Sequence, residues 1–252
     1  MKKAVILAAG KGQRLGELTK DIPKCLLPVD SQNNMTLLDF SLQALNENNI
    51  NQVFIVSGFA EEKLKNHVNK KWLNILSIKF IFNPKYAEYN NIYSAYLAKE
   101  IWDDETILLN SDIVYHPLIL SNLVSRIDRE PISYLVIDDT KKLIAEDMKV
   151  QVDKKNRITK INKNLDLNTS IGEYIGITCL KDAERVKFLR SLERNIKDRN
   201  FDLYYEDALA HILDEISVYP CSTSGKVWTE VDTKEDYEVA KKISTEITRI
   251  II

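Results

Sequence analysis

The chain of 252 residues is 44% hydrophobic and carries a formal net charge of -2, which suits one globular α/β domain with a buried core. This near-neutral charge excludes the class of protein that binds nucleic acid through a strongly basic surface, so an anion site must be local. No apolar run approaches the roughly 20 residues of a membrane span, and three separated cysteines without metal-ligand spacing fit a reducing compartment, so we expect a cytoplasmic protein.

Short apolar runs alternate with longer amphipathic stretches through the first half of the chain. This alternation predicts βα units that build a doubly wound, mixed and mainly parallel sheet with flanking helices. Strands are predicted at Lys3 to Ala8, Gln52 to Ser57, Ile78 to Phe82, Thr106 to Asn110 and Ile132 to Ile137. Helices are predicted at Thr36 to Glu47, Glu61 to Trp72, Asn91 to Trp102 and Pro117 to Ile127. In such a sheet a ligand is expected at the carboxyl ends of the strands.

The second half of the chain changes character. The stretch "KVQVDKKNRITKI", residues 149 to 161, alternates apolar and polar residues around a turn and predicts a β-hairpin that extends or flanks the sheet. After it we predict strands near 173 to 180 and 217 to 221, and helices at 182 to 196, 204 to 213 and 234 to 247. Glycine and proline are too scarce for a flexible linker, so residues 1 to 252 are interpreted as a single domain.

The stretch "VILAAGKGQRLGELTKDIPKCLLPV", residues 5 to 29, turns from an apolar strand into glycines and positive charges. Small residues there let the chain turn sharply and bring backbone N–H groups close to a ligand. Lys11, Arg14 and Lys24 supply cationic donors, so a polyphosphate is the expected ligand. The spacing is neither that of a Walker loop nor that of a dinucleotide fingerprint. On the residues alone, a solvated turn is the alternative.

The same stretch closely resembles the first loop of the nucleotidyltransferase family with the sugar-nucleotide and phosphocholine pyrophosphorylase fold. That loop reads Leu-Ala-Ala-Gly-x-Gly-x-Arg-Leu followed by Pro-Lys, and every element is present from Leu7 to Leu15 and at Pro23 and Lys24. The resemblance implies a Rossmann-like nucleotidyltransferase fold, with nucleotide binding in about residues 1 to 112 and acceptor binding in about 113 to 252. It also implies catalytic roles for Arg14 and Lys24 at the phosphates. The implied nucleotide-binding residues of the loop are Leu7, Ala8, Ala9, Gly10, Lys11 and Gly12.

An apolar strand in "LLNSDIVY" ends at Asp112, where a strand-terminating aspartate is the plain interpretation. The family places a Mg²⁺-binding aspartate at the end of the equivalent strand and a second carboxylate in a late loop. The stretch "WTEVDTKEDYEVA" looks like that loop, so the resemblance implies Asp112 and Asp232 as the metal ligands, in preference to Glu230 or Asp236. Ser111 is expected beside them as a nucleotide contact.

The segment "NPKYAEYNNIYSAYLAKE", residues 83 to 100, resembles the corresponding part of phosphocholine cytidylyltransferases and their relatives. The resemblance implies nucleotide or substrate contacts at Asn91 and Ser94 and an acceptor contact at Tyr93. An amphipathic helix with an asparagine cap is the alternative that the residues themselves offer.

The stretch "VSGF" ends another strand where the family has a turn close to the base and ribose, which implies nucleotide contacts at Ser57 and Gly58. Phe59 stands where the family usually has a tyrosine, so a hydroxyl contact at this position is missing.

Acidic and aromatic side chains gather in "IGEYIGI" and "FDLYYEDAL", in the second half of the chain. An ammonium-bearing acceptor needs carboxylates or aromatic faces around its cation. The candidate acceptor-binding residues, with a late tryptophan, are Glu173, Tyr174, Glu206, Asp207 and Trp228. The equal alternative is that Glu206 and Asp207 only complement the dipole of a helix N-terminus.

Together these features favour a Mg²⁺-dependent cytidylyltransferase that moves CMP from CTP to a small phosphate or phosphonate acceptor bearing an ammonium group. The product would be a precursor for a surface polysaccharide or lipid. We expect no nucleic-acid or membrane partner, and a homodimer is one open alternative for the oligomeric state. The competing interpretations are a sugar-1-phosphate nucleotidylyltransferase and a nucleotide-binding regulator that has lost its chemistry. Which acceptor is used stays open.

Overall fold

The computed structural model describes residues 2 to 251, and the side chains of residues 2 to 248. The strands are β1 Lys3–Ala8, β2 Pro28–Asp30, β3 Met35–Thr36, β4 Gln52–Ser57, β5 Ser77–Phe82, β6 Thr106–Asn110, β7 Ile113–Tyr115, β8 Ser133–Asp138, β9 Lys149–Val152, β10 Ile158–Asn162, β11 Gly172–Cys179, β12 Val218–Ser222 and β13 Trp228–Glu230. The α-helices are α1 Leu37–Glu47, α2 Glu61–Lys71, α3 Asn91–Leu97, α4 Pro117–Arg129, α5 Asp182–Lys197, α6 Tyr205–Ala210 and α7 Lys234–Ile251.

A nine-stranded mixed sheet forms the centre of the fold, in the order β10-β9-β11-β6-β1-β4-β5, with β8 pairing to β11 and β12. β1 is parallel to β4 and β6, and β4 is parallel to β5. β11 runs antiparallel to β6, β8 and β9. The predicted fold class, a doubly wound sheet with a parallel centre and a hairpin extension, is therefore confirmed.

Helices cover both faces of this sheet. Successive side chains of a strand point to opposite faces, so a strand that is buried on both sides is a continuous apolar run. In β1, Ala4 and Ile6 belong to a core shared with α1, α2 and α4, whereas Val5 and Leu7 belong to a core shared with α3, α5 and α6. All four residues are buried. This explains why the strand begins the chain as an unbroken apolar stretch.

β11 pairs with β6 from the first half of the chain and with β9 from the second half, and it leaves a gap in the sheet between these two strands. Its first residues, Gly172 and Glu173, pair with β9, and Ile177 to Cys179 pair with β6 on the same edge. Between these pairings Gly176 has a φ of +85°, and a Cβ there would lie 2.5 Å from the side chain of Asn110. Only glycine fits this close approach. Among the described residues no strand lies beside the middle of β11 on this edge, and a cavity occupies that place.

Two small two-stranded sheets, β2–β3 and β7–β13, lie outside the main sheet. Leu15, Val29, Val114 and Val231 pack with the apolar face of α7 in a third core. These strands have only two or three residues each, too few for an alternating pattern to predict them. The pair β7–β13 is important for the site because it places residues 228 to 230 beside the segment that follows β6.

The helices lie where the sequence predicts them, but some begin or end at different residues. α3 stops at Leu97 and is followed by a 3-10 turn at Lys99–Ile101, whereas one helix was predicted as far as Trp102. α7 continues beyond the predicted end at Ile247. None of the described helices has the length and apolar composition that crossing a membrane requires.

Candidate active site

A cavity of about 440 Å³ lies at the edge of the sheet where β1 and β6 end. Leu7 and Ala9 reach it from the end of β1, Asn110 and Ser111 from the end of β6, and Gly176 from the middle of β11. Its other described lining residues are Gly10, Gly12, Gln13, Arg14, Lys24, Asn83, Tyr86, Tyr89, Asn90, Asn91, Ser94, Asp112, Glu146, Met148, Lys163, Tyr174, Ile175, Tyr204, Glu206, Glu230 and Asp232. Both halves of the chain therefore contribute to one site.

Three carboxylates meet in this cavity. Asp112, Glu230 and Asp232 each offer an oxygen, and these oxygens lie within 4.8 Å of one another. The antiparallel pairing of β13 with β7 produces this arrangement, because it places Glu230 opposite Ile113. The N–H of Val231 also donates to the main-chain oxygen of Asp112 at 2.9 Å. Residues more than a hundred positions apart are thus held together by main-chain hydrogen bonds.

Lys24 and Arg14 lie against these carboxylates. Lys24 Nζ is 2.8 Å from Asp112 Oδ2 and 2.7 Å from Asp232 Oδ1, and Arg14 Nη2 is 2.7 Å from Asp232 Oδ2. Burial on its own lowers the pKa of Lys24, but the two aspartates outweigh burial and hold that pKa well above its ordinary value. Lys24 is therefore a permanent positive charge at the centre of the site.

Gly12 makes room for this lysine. It has a φ of +67°, and a Cβ there would lie 2.9 Å from Lys24 Cβ. Both the backbone conformation and the contact require glycine. The second glycine of the opening loop thus determines how closely the loop packs on the lysine that follows it.

The cluster has the donor set of a divalent-cation site. Asp112 Oδ1 is buried without a hydrogen-bond partner. Burial, and then the charges of Asp112 and Asp232, raises the pKa of Glu230 well above its ordinary value, and these causes outweigh the opposing charge of Lys24. Hard oxygen donors at this spacing fit Mg²⁺. The residues present could therefore hold the ion that the sequence predicts.

Lys163 adds a third positive charge. It follows β10, lines the cavity, and joins Lys24 and Arg14 in lowering the pKa of Asp232 against the effect of burial. The three cations could bind a polyanion, and the three carboxylates beside them could bind a metal ion.

A second group of polar side chains surrounds the start of α6. Tyr205 Oη lies 2.8 Å from Tyr174 Oη and donates to Asn110 Oδ1 at 3.2 Å. The N–H of Tyr205 donates to Asn91 Oδ1 at 2.9 Å, which joins the starts of α3 and α6. Next to these hydrogen-bonded side chains Glu206 is buried, and burial raises the pKa of Glu206 to about 7. This carboxyl is separate from the three-carboxylate cluster.

Aromatic rings form part of the cavity wall near this second group. Tyr89 stacks on Phe201 with the ring centres 3.9 Å apart, and Tyr93 meets Tyr89 edge-on at 5.2 Å. Tyr86 and Tyr204 line the same cavity. The wall therefore combines flat apolar faces with the Glu206 carboxyl.

A family model described as nucleotidyl transferase matches residues 3 to 142, which include the opening loop, Lys24 and Asp112. The chain belongs to the nucleotidyl transferase family. This confirms the resemblance read from the opening loop. The match covers more than half of the 252 residues and stops before β9.

Relatives align with nearly the whole of this nucleotidyl transferase. The choline-phosphate cytidylyltransferase of Streptococcus pneumoniae is 28% identical over 96% of this chain and 97% of its own. The CTP:phosphoglutamine cytidylyltransferase of Campylobacter jejuni is 27% identical over 94% of this chain and 98% of its own. The solved structure of the CTP:phosphocholine cytidylyltransferase from Streptococcus pneumoniae superposes with a TM-score of 0.75 at 24% identity, covering 96% and 98% of the two chains. This last likeness shows the shared fold.

The nucleotidyl transferase cavity brings together most of the residues that the sequence predicts. Those that line it are Leu7, Ala9, Gly10, Gly12, Arg14, Lys24, Asn91, Ser94, Ser111, Asp112, Tyr174, Glu206 and Asp232. Ser94 Oγ accepts a hydrogen bond from Asn83 Nδ2 at 3.0 Å, so its hydroxyl is already partly engaged.

Two residues of the opening loop, Ala8 and Lys11, are not among the described lining residues. Ala8 is buried on the sheet face that carries α1, α2 and α4. Lys11 Nζ lies 5.4 Å from the ring centre of Phe59. The strand alternation sends Ala8 away from the cavity, and the cation of Lys11 lies over a ring at its margin.

Ser57 and Gly58, expected near the base and ribose, are also absent from the described lining residues. Ser57 is buried, and its Oγ donates to Glu61 Oε1 at 2.6 Å, which ties β4 to α2. A Cβ at Gly58 would lie 2.7 Å from the main-chain oxygen of Ala9. Gly58 therefore permits the close contact of two loops.

Glu173 and Trp228, predicted to contact the acceptor, instead hold the segment 139 to 148. Glu173 forms an ion pair with Lys141, although burial outweighs it and raises the pKa of Glu173 to about 7. Trp228 Nε1 donates to Asp138 Oδ2 at 2.8 Å, and Lys141 Nζ lies 5.7 Å from the Trp228 ring centre. Neither is among the described lining residues, and this segment supplies Glu146 and Met148 to the cavity in their place.

Tyr93 and Asp207 also lie beside the cavity and do not line it within the described part of the chain. Tyr93 packs edge-on against Tyr89. Asp207 Oδ2 accepts a hydrogen bond from the N–H of Tyr204 at 2.8 Å at the start of α6. Both acids lie in the first turn of α6, as the dipole alternative expects. They differ in their partners, because Asp207 accepts the N–H of Tyr204, whereas Glu206 Oε2 has no hydrogen-bond partner among the described residues.

From the sequence alone, Glu230 is only a less favoured alternative to Asp232, and Lys163 is not predicted at all. Glu230 stands two residues before Asp232, and side chains two apart in an extended segment share one face. That spacing was a usable signal for the third carboxylate. Lys163 has no local signal of this kind, because only the pairing of β10 with β9 brings it to the cavity.

Proposed function

We propose that this nucleotidyltransferase moves CMP from CTP to the phosphate or phosphonate of a small acceptor that carries an ammonium group, and that it releases pyrophosphate. The observation that carries the proposal is a single cavity with two different polar groups. One group combines Lys24 and Arg14 with Asp112 and Asp232, and the other is the separate buried carboxyl of Glu206. The first suits nucleotide phosphates, and the second suits a positive charge.

The phosphates would bind to the cations of the opening half. Lys24, Arg14 and Lys163 line the cavity on its phosphate side, and the loop at Gly10 and Gly12 offers main-chain N–H groups. Asp112 and Asp232, with Glu230, would hold Mg²⁺, which when bound supplies positive charge to the phosphate oxygens. Lys24 and Arg14 would then exchange part of their contact with the aspartates for contact with the phosphates.

The chemistry is an in-line displacement at the α-phosphorus. An oxygen of the acceptor phosphate forms a bond to that phosphorus, and the bond to the oxygen that bridges to the β-phosphorus breaks, with its electron pair leaving on pyrophosphate. An ionised acceptor phosphate needs no general base. Lys24 would act by holding two mutually repelling anions together and by neutralising the charge that develops between them.

The choice of CTP rests on relatives. Two relatives that align over nearly the whole length of both chains are named as cytidylyltransferases. Their names give different acceptors, choline phosphate and phosphoglutamine, so the proposal for this chain is kept at the level of a small phosphorylated acceptor with an ammonium group. A CMP-activated product of this kind is suited to a later transfer to a surface polysaccharide or a lipid.

The test is a screen of pyrophosphate release with CTP, UTP, GTP and ATP against phosphorylated amines, an aminoalkylphosphonate, phosphorylated amino acids and hexose-1-phosphates. We expect CTP with an ammonium-bearing acceptor to give the highest kcat/KM. Lys24→Ala in the same assay shows that the activity belongs to this cavity. A preference for a hexose-1-phosphate over every amine would contradict the proposal and favour a sugar-nucleotide enzyme.

A further inference from the structure

Two buried oxygens in the cavity wall have no hydrogen-bond partner. Among the buried side-chain nitrogens and oxygens of the described residues that lack a partner, Asp112 Oδ1 and Glu206 Oε2 are the ones that belong to lining residues. Asp112 Oδ1 lies in the three-carboxylate cluster, where a metal ion would satisfy it. Glu206 is not part of that cluster, so a metal ion held there does not account for its free oxygen.

The protein supplies Glu206 with little compensation. The residue is only 6% exposed, and burial is the main cause that raises its pKa to about 7. A main-chain N–H and the neighbouring Tyr205 and Asn91 side chains offset part of this, and no cation is among the main groups that act on it. Asp207, the charged neighbour on the same helix, raises the pKa further. Glu206 is therefore a buried acid in the cavity wall whose Oε2 has no hydrogen-bond partner among the described residues.

The nearby hydroxyls bond to one another, and Tyr205 divides its hydroxyl between these partners and Glu206. Tyr174 Oη lies 2.5 Å from Thr178 Oγ1 and 2.8 Å from Tyr205 Oη, and Tyr205 Oη donates to Asn110 Oδ1 at 3.2 Å. One hydroxyl proton cannot serve two acceptors at full strength. The chain of hydroxyls consequently holds the wall in place and leaves Glu206 Oε2 for the ligand.

A charged N–H donor is the partner that best suits Glu206 Oε2. A carboxylate buried without a donor is costly, and a charged N–H donor removes that cost most effectively. A trimethylammonium group carries the charge but no N–H, and proteins recognise it through open aromatic faces. Here one face of Tyr89 is covered by Phe201, at a ring-centre distance of 3.9 Å, and Tyr86 and Tyr204 are the other tyrosines of this part of the cavity wall.

We infer that the acceptor is an aminoalkyl phosphate or phosphonate whose ammonium carries at least one N–H, which it donates to Glu206 Oε2, and not a quaternary ammonium ester. This inference rests on the proposed function and names the substrate class of the same site. It makes Glu206 the residue that selects N–H-bearing acceptors over fully methylated ones.

The experiment is a methylation series with constant phosphate and constant chain length. Pyrophosphate release with CTP is measured for phosphoethanolamine, its N-methyl and N,N-dimethyl derivatives, and phosphocholine. We expect kcat/KM to fall along the series, with the largest drop, about tenfold or more, at the last methyl, where the final N–H is lost.

Glu206→Gln tests whether this residue is the cause. The variant removes the charge but keeps the shape, so the preference for N–H-bearing acceptors should shrink to within a few-fold while the KM for CTP is retained. Glu215→Gln, at an exposed glutamate shortly after α6, is the matched control and should keep the wild-type preference. Glu206→Asp is a second variant in case the glutamine folds poorly, and it should keep the order of the series at lower kcat/KM.

The outcomes separate the two proposals. Equal or better kcat/KM with phosphocholine, or an unchanged preference in Glu206→Gln, would overturn the inference about the ammonium and leave cytidylyl transfer intact. Absence of pyrophosphate release with CTP and every member of the series, under conditions where a hexose-1-phosphate is active, would overturn the proposed function and this inference with it.

Discussion

The loop that follows β1 and the turn that begins α6 reach the same cavity, but they contribute to it in different ways. In the loop, residues close in sequence act on the same group. Gly12 makes room for Lys24, and both Arg14 and Lys24 form ion pairs with Asp232. In the turn, neighbours diverge, since Glu206 is buried in the cavity wall while Asp207 bonds to the N–H of Tyr204. The proposed phosphate site is contiguous enough to be recognised as a motif, whereas the proposed acceptor site depends on which way each side chain of a helix points.

The carboxylate cluster provides the largest expected effect. Asp112→Asn and Asp232→Asn should each abolish Mg²⁺-dependent pyrophosphate release, because an amide keeps the shape of the side chain but loses the charge that retains the ion. Activity is measured across a Mg²⁺ titration, with circular dichroism to verify folding. Full activity of either variant at limiting Mg²⁺ would remove that residue from the metal site.

Lys24→Ala comes next in size. It should lower kcat by about 10² to 10³, the loss expected for one donor that stabilises developing charge. The lysine is also the shared partner of Asp112 and Asp232, so its removal leaves two carboxylates close together without their bridge. Steady-state kinetics with both substrates saturating measures the effect. Near-normal kcat would show that Lys24 has only a structural role.

The pH dependence tests the acceptor side of the comparison. With a pKa of about 7, Glu206 is mainly protonated at pH 6 and mainly ionised at pH 8, and only the ionised form attracts an ammonium. The KM for the acceptor should therefore rise roughly tenfold from pH 8 to pH 6. Tyr174 on β11 and Tyr205 on α6 face the carboxyl with pKa values raised by burial, and Asp207 adds its charge.

The acceptor phosphate titrates in the same range, with a pKa near 6. The measurement is therefore the difference between wild type and Glu206→Gln across the pH series. An identical pH profile of KM in both proteins would assign the whole effect to the phosphate and contradict a role for Glu206.

Much of the nucleotide side could be predicted because its signals are local. Strand β1 is a continuous apolar run, and the loop after it carries its glycines and cations within a few positions. The contact of β7 with β13 could not be predicted, since each strand has three residues and their partners are more than a hundred positions apart. The family resemblance supplied Asp232, but Glu230 needed the pairing itself or attention to the two-residue spacing.

The acceptor side was only partly predictable for a different physical reason. Composition identified acidic and aromatic residues, but composition does not say which carboxylate has a partner inside the protein. Glu173 has Lys141, and Asp207 has the N–H of Tyr204, whereas Glu206 Oε2 has none. Partners of this kind become visible only when the strands and helices are packed together.

Substitution of Lys149 should have a smaller effect on acceptor binding. Lys149 is 1% exposed, and its Nζ donates to the main-chain oxygens of Ala145 at 2.7 Å and Asp147 at 3.1 Å. This bond holds the segment that supplies Met148, whose main-chain oxygen accepts from the N–H of Tyr174 at 2.8 Å. Lys149→Met should raise the KM for the acceptor several-fold, change the KM for CTP by less than about twofold, and lower the free energy of unfolding by about 2 kcal/mol.

Lys154→Met, at an exposed position in the turn between β9 and β10, is the control for the change of side chain. Loss of stability without a difference between the two KM values would show that Lys149 only supports the fold. An equal rise in both KM values would show that segment 139 to 148 does not distinguish the acceptor from the nucleotide.

Asp207 gives the smallest expected effect and the sharpest contrast with Glu206. Its carboxylate bonds to the N–H of Tyr204, and an amide oxygen can accept the same hydrogen bond, so Asp207→Asn should leave the KM for the acceptor within about twofold of wild type. Asp207→Ala loses the bond and should lower the free energy of unfolding by about 1 kcal/mol, measured by denaturant titration. Since Asp207 raises the pKa of Glu206, the asparagine variant should also shift the pH profile of the acceptor KM slightly toward lower pH. A rise in KM as large as that of Glu206→Gln would mean that the two neighbouring acids act together on the ammonium, and the distinction drawn between them would be wrong.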